Sequence, residues 1–467
     1  MSALRAPAPV VRRAGPSAIE IEGPRRGRPP VRNEILAGGR LGRIDPEELA
    51  ERFGTPFYAY DLDVVTAQVA ALRAALAPGI ELAYAVKANP ALAVVAHLTG
   101  LGLGTDIASG GELELVQRAG VEPDRIVMTG PGKRDEELRA AVAAGIRAIT
   151  VESPRELSRL EAIAAEADTV VPILLRAAVP KAALLERVRL VGDDGAGKFG
   201  MDADDLLVAA RQAVRSPHLD LLGVHAFGAS NVANAASLAD HFEWTIELAR
   251  RLAVAIGFRL RLIDAGGGLG IAYESDAPSL DLRVLAARTA VLAERLAADP
   301  VTRSATLLLE PGRFLVAPAG AYVSRVVDRK VVEGNHVVIL DGGVHHLLRP
   351  ALVGQEHRLR ILGGGNGTGG TNGGTPDRTA KAFPVTVAGP LCSGLDVLAA
   401  QAVLPLPEVG RLVAVLDVGA YGYTESMPFF LSHPVPAEVA IRGGRAELIR
   451  PRIEPRTWLD WQRNPAW

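Results

Sequence analysis

The sequence predicts an α/β fold, a (β/α)8 barrel with a second, β-rich C-terminal domain. Two observations carry this. Eight short apolar stretches alternate with segments of helical periodicity through the first two thirds of the chain. After Pro318 the pattern changes to short β-rich segments separated by turns rich in Gly and Pro. At 467 residues a single small core is not expected, and two domains are.

The elements follow in order. Residues 1–34 are rich in Pro, Arg and Gly and read as a disordered tail. They lack the apolar centre of a secretory signal, and their prolines spoil an amphipathic transit helix. The barrel is expected over 61–317. Its strand candidates are Glu81–Val86, Gly104–Ala108, Arg125–Thr129, Ala148–Val151, Val170–Arg176, Leu219–Ala226, Arg259–Ala265 and Thr306–Glu310. Helical periodicity lies between them, as in Gly111–Ala119, Asp135–Ala144 and Ser153–Ala167. The β-rich domain is expected over 35–60 and 318–449. Its strands are Ala321–Val327, His336–Leu340, Ala382–Val387, Leu412–Val415 and Glu438–Ile441. Residues 363–376, mostly Gly, Asn and Thr, cannot bury a core and read as a flexible surface insertion. Residues 450–467 form a C-terminal tail.

Composition excludes several function classes. Charged residues are 22% and the net charge is −2, so no basic field suits nucleic acid. No apolar run is long enough to span a bilayer. One cysteine allows no internal disulfide and suits a reducing, cytoplasmic setting.

The chemistry begins at Ala83-Tyr84-Ala85-Val86-Lys87-Ala88-Asn89-Pro90, where a lysine directly follows an apolar strand. An ammonium buried there is costly unless it has a partner or reacts. A lysine in a dry pocket has a lowered pKa and can form a Schiff base with a carbonyl. Taken alone, Lys87 reads first as a residue past a strand end that reaches water, and the other segments reverse that reading. Lys87, His225, the Gly266–Gly268 run and Glu310 all fall at or just beyond C-terminal strand ends, where barrels of this kind place their chemistry.

Four further segments join the lysine motif: Gly266-Gly267-Gly268-Leu269-Gly270, Glu310-Pro311-Gly312-Arg313, Gly389-Pro390-Leu391-Cys392 and Gly419-Ala420-Tyr421-Gly422. In this order they resemble the pyridoxal-phosphate (PLP) decarboxylases of the alanine-racemase-like barrel class, which act on ornithine, diaminopimelate and arginine. The diaminopimelate decarboxylase-like branch is the nearest in appearance. The resemblance runs from about Ile35 to about Ile449. It implies a β-domain like that of alanine racemase, joined by Phe57–Tyr60 from the N-terminal side.

The resemblance also implies roles. Lys87 carries PLP, the electron sink for the carbanion left by carboxylate loss. Gly266, Gly267 and Gly268 let the phosphate approach the main chain, with Ser230 and Tyr421 as hydroxyl donors. Glu310 faces the pyridine nitrogen and keeps it protonated, which favours decarboxylase over a racemase on the same barrel. Arg313 suits phosphate or substrate carboxylate. Asp106 orients the lysine or ring, or else is an ordinary acid at a helix start. Cys392 protonates the α-carbon from the partner subunit, with Asp396 following it. This implies a homodimer with shared active sites. Lys198-Phe199-Gly200 orders a loop near the barrel mouth.

Departures from the pattern bear on specificity. The usual His-x-Gly-Ser is Phe227-Gly228-Ala229-Ser230, so either Phe227 or His225 covers the ring. Ser393 stands where diaminopimelate decarboxylases place a Glu that holds the distal ammonium. Their closing Tyr-Asn is replaced by Pro428-Phe429-Phe430-Leu431. Arg349-Pro350-Ala351-Leu352 still resembles the segment whose arginine holds a distal carboxylate. The expected substrate is therefore a small amino acid with a distal carboxylate or carbonyl and no distal amine, glutamate-like, modified or carrier-bound. His345 and His346 are too few for a metal site, and none is expected. The alternatives are a racemase or a non-catalytic PLP-binding protein.

Overall fold

The computed structural model describes residues 34–179, 197–228, 230–274, 277–363 and 381–465. The expected N-terminal tail, to residue 33, lies outside these residues. So do 364–380, nearly all of the expected insertion, and residues 466–467.

Eight parallel strands close into a barrel: Ile80–Ala85, Gly104–Ile107, Ile126–Met128, Ala148–Val151, Val171–Arg176, Leu219–His225, Leu262–Asp264 and Thr306–Leu309. The last pairs with the first, with Leu307 opposite Ile80. One buried cluster takes a residue from each of six strands (Ala83, Val127, Ala148, Leu174, Leu262, Leu308), as a layer inside a barrel does. Gly223 has no room for a side chain, since a Cβ there would overlap the Leu262 carbonyl oxygen.

The helices between the strands carry clear start signals. Ser109, Ser153, Asp202, Asn234 and Asp281 each cap the following helix by accepting a backbone N–H. The first barrel strand ends one residue before its expected end. Val86–Ala88 form a single 3-10 turn, closed by Asn89 N–H on the Val86 carbonyl. Lys87 therefore sits on a turn at the barrel mouth.

The second sheet runs in the order Val397–Pro405, Ala382–Ala388, Asn335–Leu340, Gly320–Val332, Phe57–Asp61, Ala437–Arg442, Arg445–Arg450. Leu412–Leu416 pairs with both Gly320–Val332 and Leu359–Leu362. Phe57–Asp61 is central to it, antiparallel to one neighbour and parallel to the other. Leu359–Leu362, Val397–Pro405 and Arg445–Arg450 were not expected as strands. Their partly exposed residues blur the apolar pattern on which strand recognition rests. Within the expected C-terminal tail, Pro455–Leu459 is a helix and Trp458 packs on Phe429 at 5.2 Å between ring centres. Among the described residues no helix is long and apolar enough to cross a membrane.

Candidate active site

A cavity at the C-terminal end of the barrel strands is lined by Lys87, Phe227, Ser230, Gly268, Glu310, Arg313 and Tyr421, among others. Seven of the expected site residues thus converge from distant parts of the chain. The second sheet reaches the barrel here. Tyr421 N–H donates to the Ala88 carbonyl at 2.8 Å, and Asn89 Nδ2 donates to the Gly419 carbonyl at 2.9 Å. The loop bearing Tyr421 and the turn bearing Lys87 are held as one unit.

Lys87 Nζ lies 3.1 Å from Asp106 Oδ2. Thr129 Oγ1 donates to the other oxygen at 2.8 Å, so Asp106 is buried and fixed. Burial alone would lower the lysine pKa, as the sequence suggested. Asp106 and Glu310 outweigh burial and hold it above the usual lysine range. The expectation of a depressed lysine pKa is therefore corrected: two carboxylates face one ammonium.

Glu310 is buried, and His225 Nε2 approaches its Oε2 at 3.4 Å. A carboxylate only accepts, so Nε2 carries the hydrogen when Glu310 is ionised. Burial opposes the Glu310 charge, but His225 and Lys87 bring its pKa down to about 2. Asp264, absent from the sequence expectations, lies beside it. One ligand atom from each of His225, Asp264 and Glu310 falls within 4.8 Å of the others. Burial, then Glu310, pushes Asp264 well above the usual carboxylate range. Glu310 is ionised and Asp264 beside it is protonated. Asp264 Oδ1 also accepts Gly266 N–H at 2.9 Å, linking this carboxylate pair to the glycine run. An Asp two residues ahead of such a run was the signal available in the sequence.

Gly266 and Gly268 have φ of 64° and 101°. A Cβ on Gly267 would overlap the Glu310 carbonyl oxygen, so the run keeps its main chain open and close-packed. Val232 N–H bonds the Gly268 carbonyl, and this ties the Ser230 loop to the same edge. Arg313 donates from Nη1 to the Tyr273 hydroxyl at 2.6 Å and from Nη2 to Ser230 Oγ at 3.0 Å. Its guanidinium lies 4.7 Å from the Tyr421 ring centre.

The barrel strand stops at His225, so strand alternation does not extend to Phe227. Phe227 lines the cavity, its ring centre 6.0 Å from Lys87 Nζ, while His225 is buried against Glu310. The two aromatic candidates thus occupy different places.

Of the expected substrate residues, Arg313 lines the cavity and Arg349, Ser393 and Asp396 lie outside its lining. Arg349 is buried, with Nη1 bonded to Glu425 Oε2 at 2.8 Å and its guanidinium 4.9 Å from the Tyr421 ring centre. Cys392 is an exposed free thiol and does not line the cavity. Asp396 is buried and brackets its loop, accepting from Val344 N–H and Leu391 N–H, each at 2.7 Å. Ser393 Oγ accepts only within its own turn, from Leu395 N–H. Phe199 lies under the Arg176 guanidinium, and Gly200 N–H bonds Glu152, which docks the Lys198-Phe199-Gly200 loop on the barrel. His346 is held by Tyr322 and the Pro434 carbonyl, whereas His345 has neither ring nitrogen bonded.

Comparison with known proteins follows the same lines. Residues 62–317 match the family model "Pyridoxal-dependent decarboxylase, pyridoxal binding domain". The chain is 34% identical over 415 residues to the L-glutamyl-[BtrI acyl-carrier protein] decarboxylase of Niallia circulans, covering 88% of this chain and 94% of that one. It is 34% identical over 421 residues to the diaminopimelate decarboxylase of Pseudomonas aeruginosa, covering 90% and 94%. The crystal structure of the Helicobacter pylori diaminopimelate decarboxylase complexed with L-lysine superposes with a TM-score of 0.78 at 28% identity, covering 89% and 98%. The M. jannaschii enzyme in complex with L-lysine gives 0.81 at 26%, covering 91% and 96%.

The residues present fit pyridoxal phosphate. Glu310 lines the cavity and is held ionised, as an acceptor for a pyridinium N–H requires. The open glycine run, Ser230 and Arg313 offer donors and charge for a phosphate. Lys87 faces the cavity with 45% of its side chain exposed.

Proposed function

The chain belongs to the pyridoxal-dependent decarboxylase family, and from that premise we propose that it removes the α-carboxylate of an L-glutamyl-type amino acid whose distal carboxyl is held on a carrier protein. The observation that carries this reading is Ser393. A neutral residue directly after Cys392 offers no charge to a distal ammonium. The similarity to a carrier-linked glutamyl decarboxylase supports it. The α-carboxylate must be free to leave, so the link to the carrier is through the side-chain carboxyl.

Bound pyridoxal phosphate supplies the electron sink for the α-carbanion. The residues divide the remaining work. Lys87 holds the cofactor, and Asp106 positions Lys87. Glu310, positioned by His225, keeps the ring nitrogen protonated. Gly266, Gly267, Gly268, Ser230, Arg313 and Tyr421 hold the phosphate. Phe227 covers the ring face. Arg349 serves the distal carbonyl of the substrate. Cys392 of the partner subunit returns a proton to the α-carbon, with Asp396 holding its loop. The assembly in this reading is a homodimer with shared sites, supported by a Cys392 thiol that is exposed and outside the lining of its own cavity.

The test is carbon dioxide release by the purified holoenzyme from a carrier-linked glutamyl thioester, free L-glutamate and meso-diaminopimelate. Preference for the thioester by about a hundredfold or more is expected. Equal or better turnover of meso-diaminopimelate overturns the substrate assignment and leaves a diaminopimelate decarboxylase, the reading favoured by the other relatives.

A further inference from the structure

The geometry points to the Arg349–Glu425 ion pair as the device that selects a substrate with an uncharged distal end and rejects a free distal carboxylate. This rests on the decarboxylase reading above and goes beyond it by naming the discriminating residue, Glu425.

Three cations stand at or beside the cavity among the described residues. Lys87 and Arg313 line the cavity, and Arg349 stacks on its Tyr421 wall. Lys87 is matched by Asp106 at 3.1 Å. Arg313 is turned to Tyr273 and Ser230, on the side of the glycine run. Arg349 is matched by Glu425 at 2.8 Å. Of these three, Arg313 alone lacks an anionic partner, and a bound phosphate would take it, so none of them is left for a second substrate carboxylate.

Burial sharpens the point. The Arg349 side chain is 2% exposed and that of Glu425 33%. A carboxylate arriving at Arg349 would meet Glu425 as a like charge in a poorly solvated place, an arrangement that costs affinity. A thioester, ester or amide carbonyl brings no charge and asks only for a donor. Arg349 Nε–H is buried and has no hydrogen-bond partner, so the pair can still serve a neutral carbonyl. His357 adds no charge nearby. Burial first, then Arg349 and Arg313, brings its pKa down to about 4, so it is neutral at physiological pH.

The test uses two probes on the holoenzyme: glutarate, with two carboxylates and no amine, and its monomethyl ester. Dissociation constants come from calorimetry, beside kcat/KM for free L-glutamate and for the glutamyl thioester of N-acetylcysteamine. Wild type is expected to bind the monoester about tenfold or more tighter than glutarate. Glu425→Gln, which keeps shape and removes charge, should close that gap and raise kcat/KM for free glutamate by a similar factor. Adding Arg349→Met should abolish the gain. Equal binding of the two probes by wild type overturns the proposal without any variant. So does a probe ratio within about twofold of wild type in a Glu425→Gln protein that keeps its cofactor spectrum. If wild type releases no carbon dioxide from the thioester, the carrier-linked function fails, and the probe ratio still decides the role of the pair.

Discussion

Glu310 Oε2 lies 3.4 Å from His225 Nε2, both buried at the end of the barrel, and this contact sets the charge of the cavity floor. With His225 and Lys87 near, Glu310 stays ionised to about pH 2 despite burial. Glu310→Gln should lower the decarboxylation rate by about a hundredfold or more while Lys87 still takes up cofactor. Carbon dioxide release and the absorbance of bound cofactor separate the two effects. The folded pKa is below the ordinary 4.5, so this group's contribution to stability is present above 4.5 and is lost as pH falls toward about 2. Urea unfolding of wild type should weaken through that window relative to Glu310→Gln.

Asp106→Asn removes the larger of the two charges that raise the Lys87 pKa against burial. The amine should become neutral at lower pH. The pH midpoint for cofactor attachment, read by borohydride reduction and peptide mass, should fall by about one unit or more. No change would leave Asp106 as a buried strand acid that does not set the charge of the lysine.

Gly267→Ala should weaken cofactor binding by about tenfold or more, because the new Cβ overlaps the Glu310 carbonyl oxygen and displaces the loop. A fluorescence titration with pyridoxal phosphate measures this, and unaltered affinity would remove the run from the phosphate site.

His345 is fully buried with neither ring nitrogen bonded. Burial first, then His433, lowers its pKa from 6.5 to about 4. A histidine lowered in the fold leaves stability intact above 6.5 and costs stability as pH falls from there to about 4, because the unfolded chain binds the proton first. His345→Leu should be neutral or stabilising, by about 1–3 kcal/mol, and should flatten that acid loss. Melting temperatures across the window check both statements.

Cys392 is exposed and outside the cavity of its own chain. If sites are shared, Lys87→Ala and Cys392→Ala are each nearly inactive, and a refolded equal mixture recovers about a quarter of wild-type activity. Half of the mixed dimers are hybrids, and each hybrid has one intact site. A mixture as inactive as its parents would show that the thiol serves no neighbouring site.

The barrel was readable because each strand is a short apolar run bounded by polar turns, and burial on both faces demands that pattern. Ala148–Val151 and Asp135–Ala144 appear at the residues expected. Lys87, Ser230, Gly268, Glu310, Arg313 and Tyr421 also stand together at the strand ends where the motifs placed them. Asp264, despite its place ahead of the glycine run, and Glu425 escaped notice because neither position shows which side chain it meets. Each acquires meaning only from a neighbour distant in sequence, Glu310 for one and Arg349 for the other.

The barrel, the added sheet and the reactive lysine were legible in the chain alone, since these depend on local periodicity and on motifs that survive as short strings. Packing in three dimensions was needed to see that Phe227 and not His225 lines the cavity, that Lys87 meets two carboxylates, and that Arg349 is already paired. Those outcomes depend on distances between side chains from separate elements. Burial and charge pairing are properties of the packed chain, and local sequence does not encode them one residue at a time.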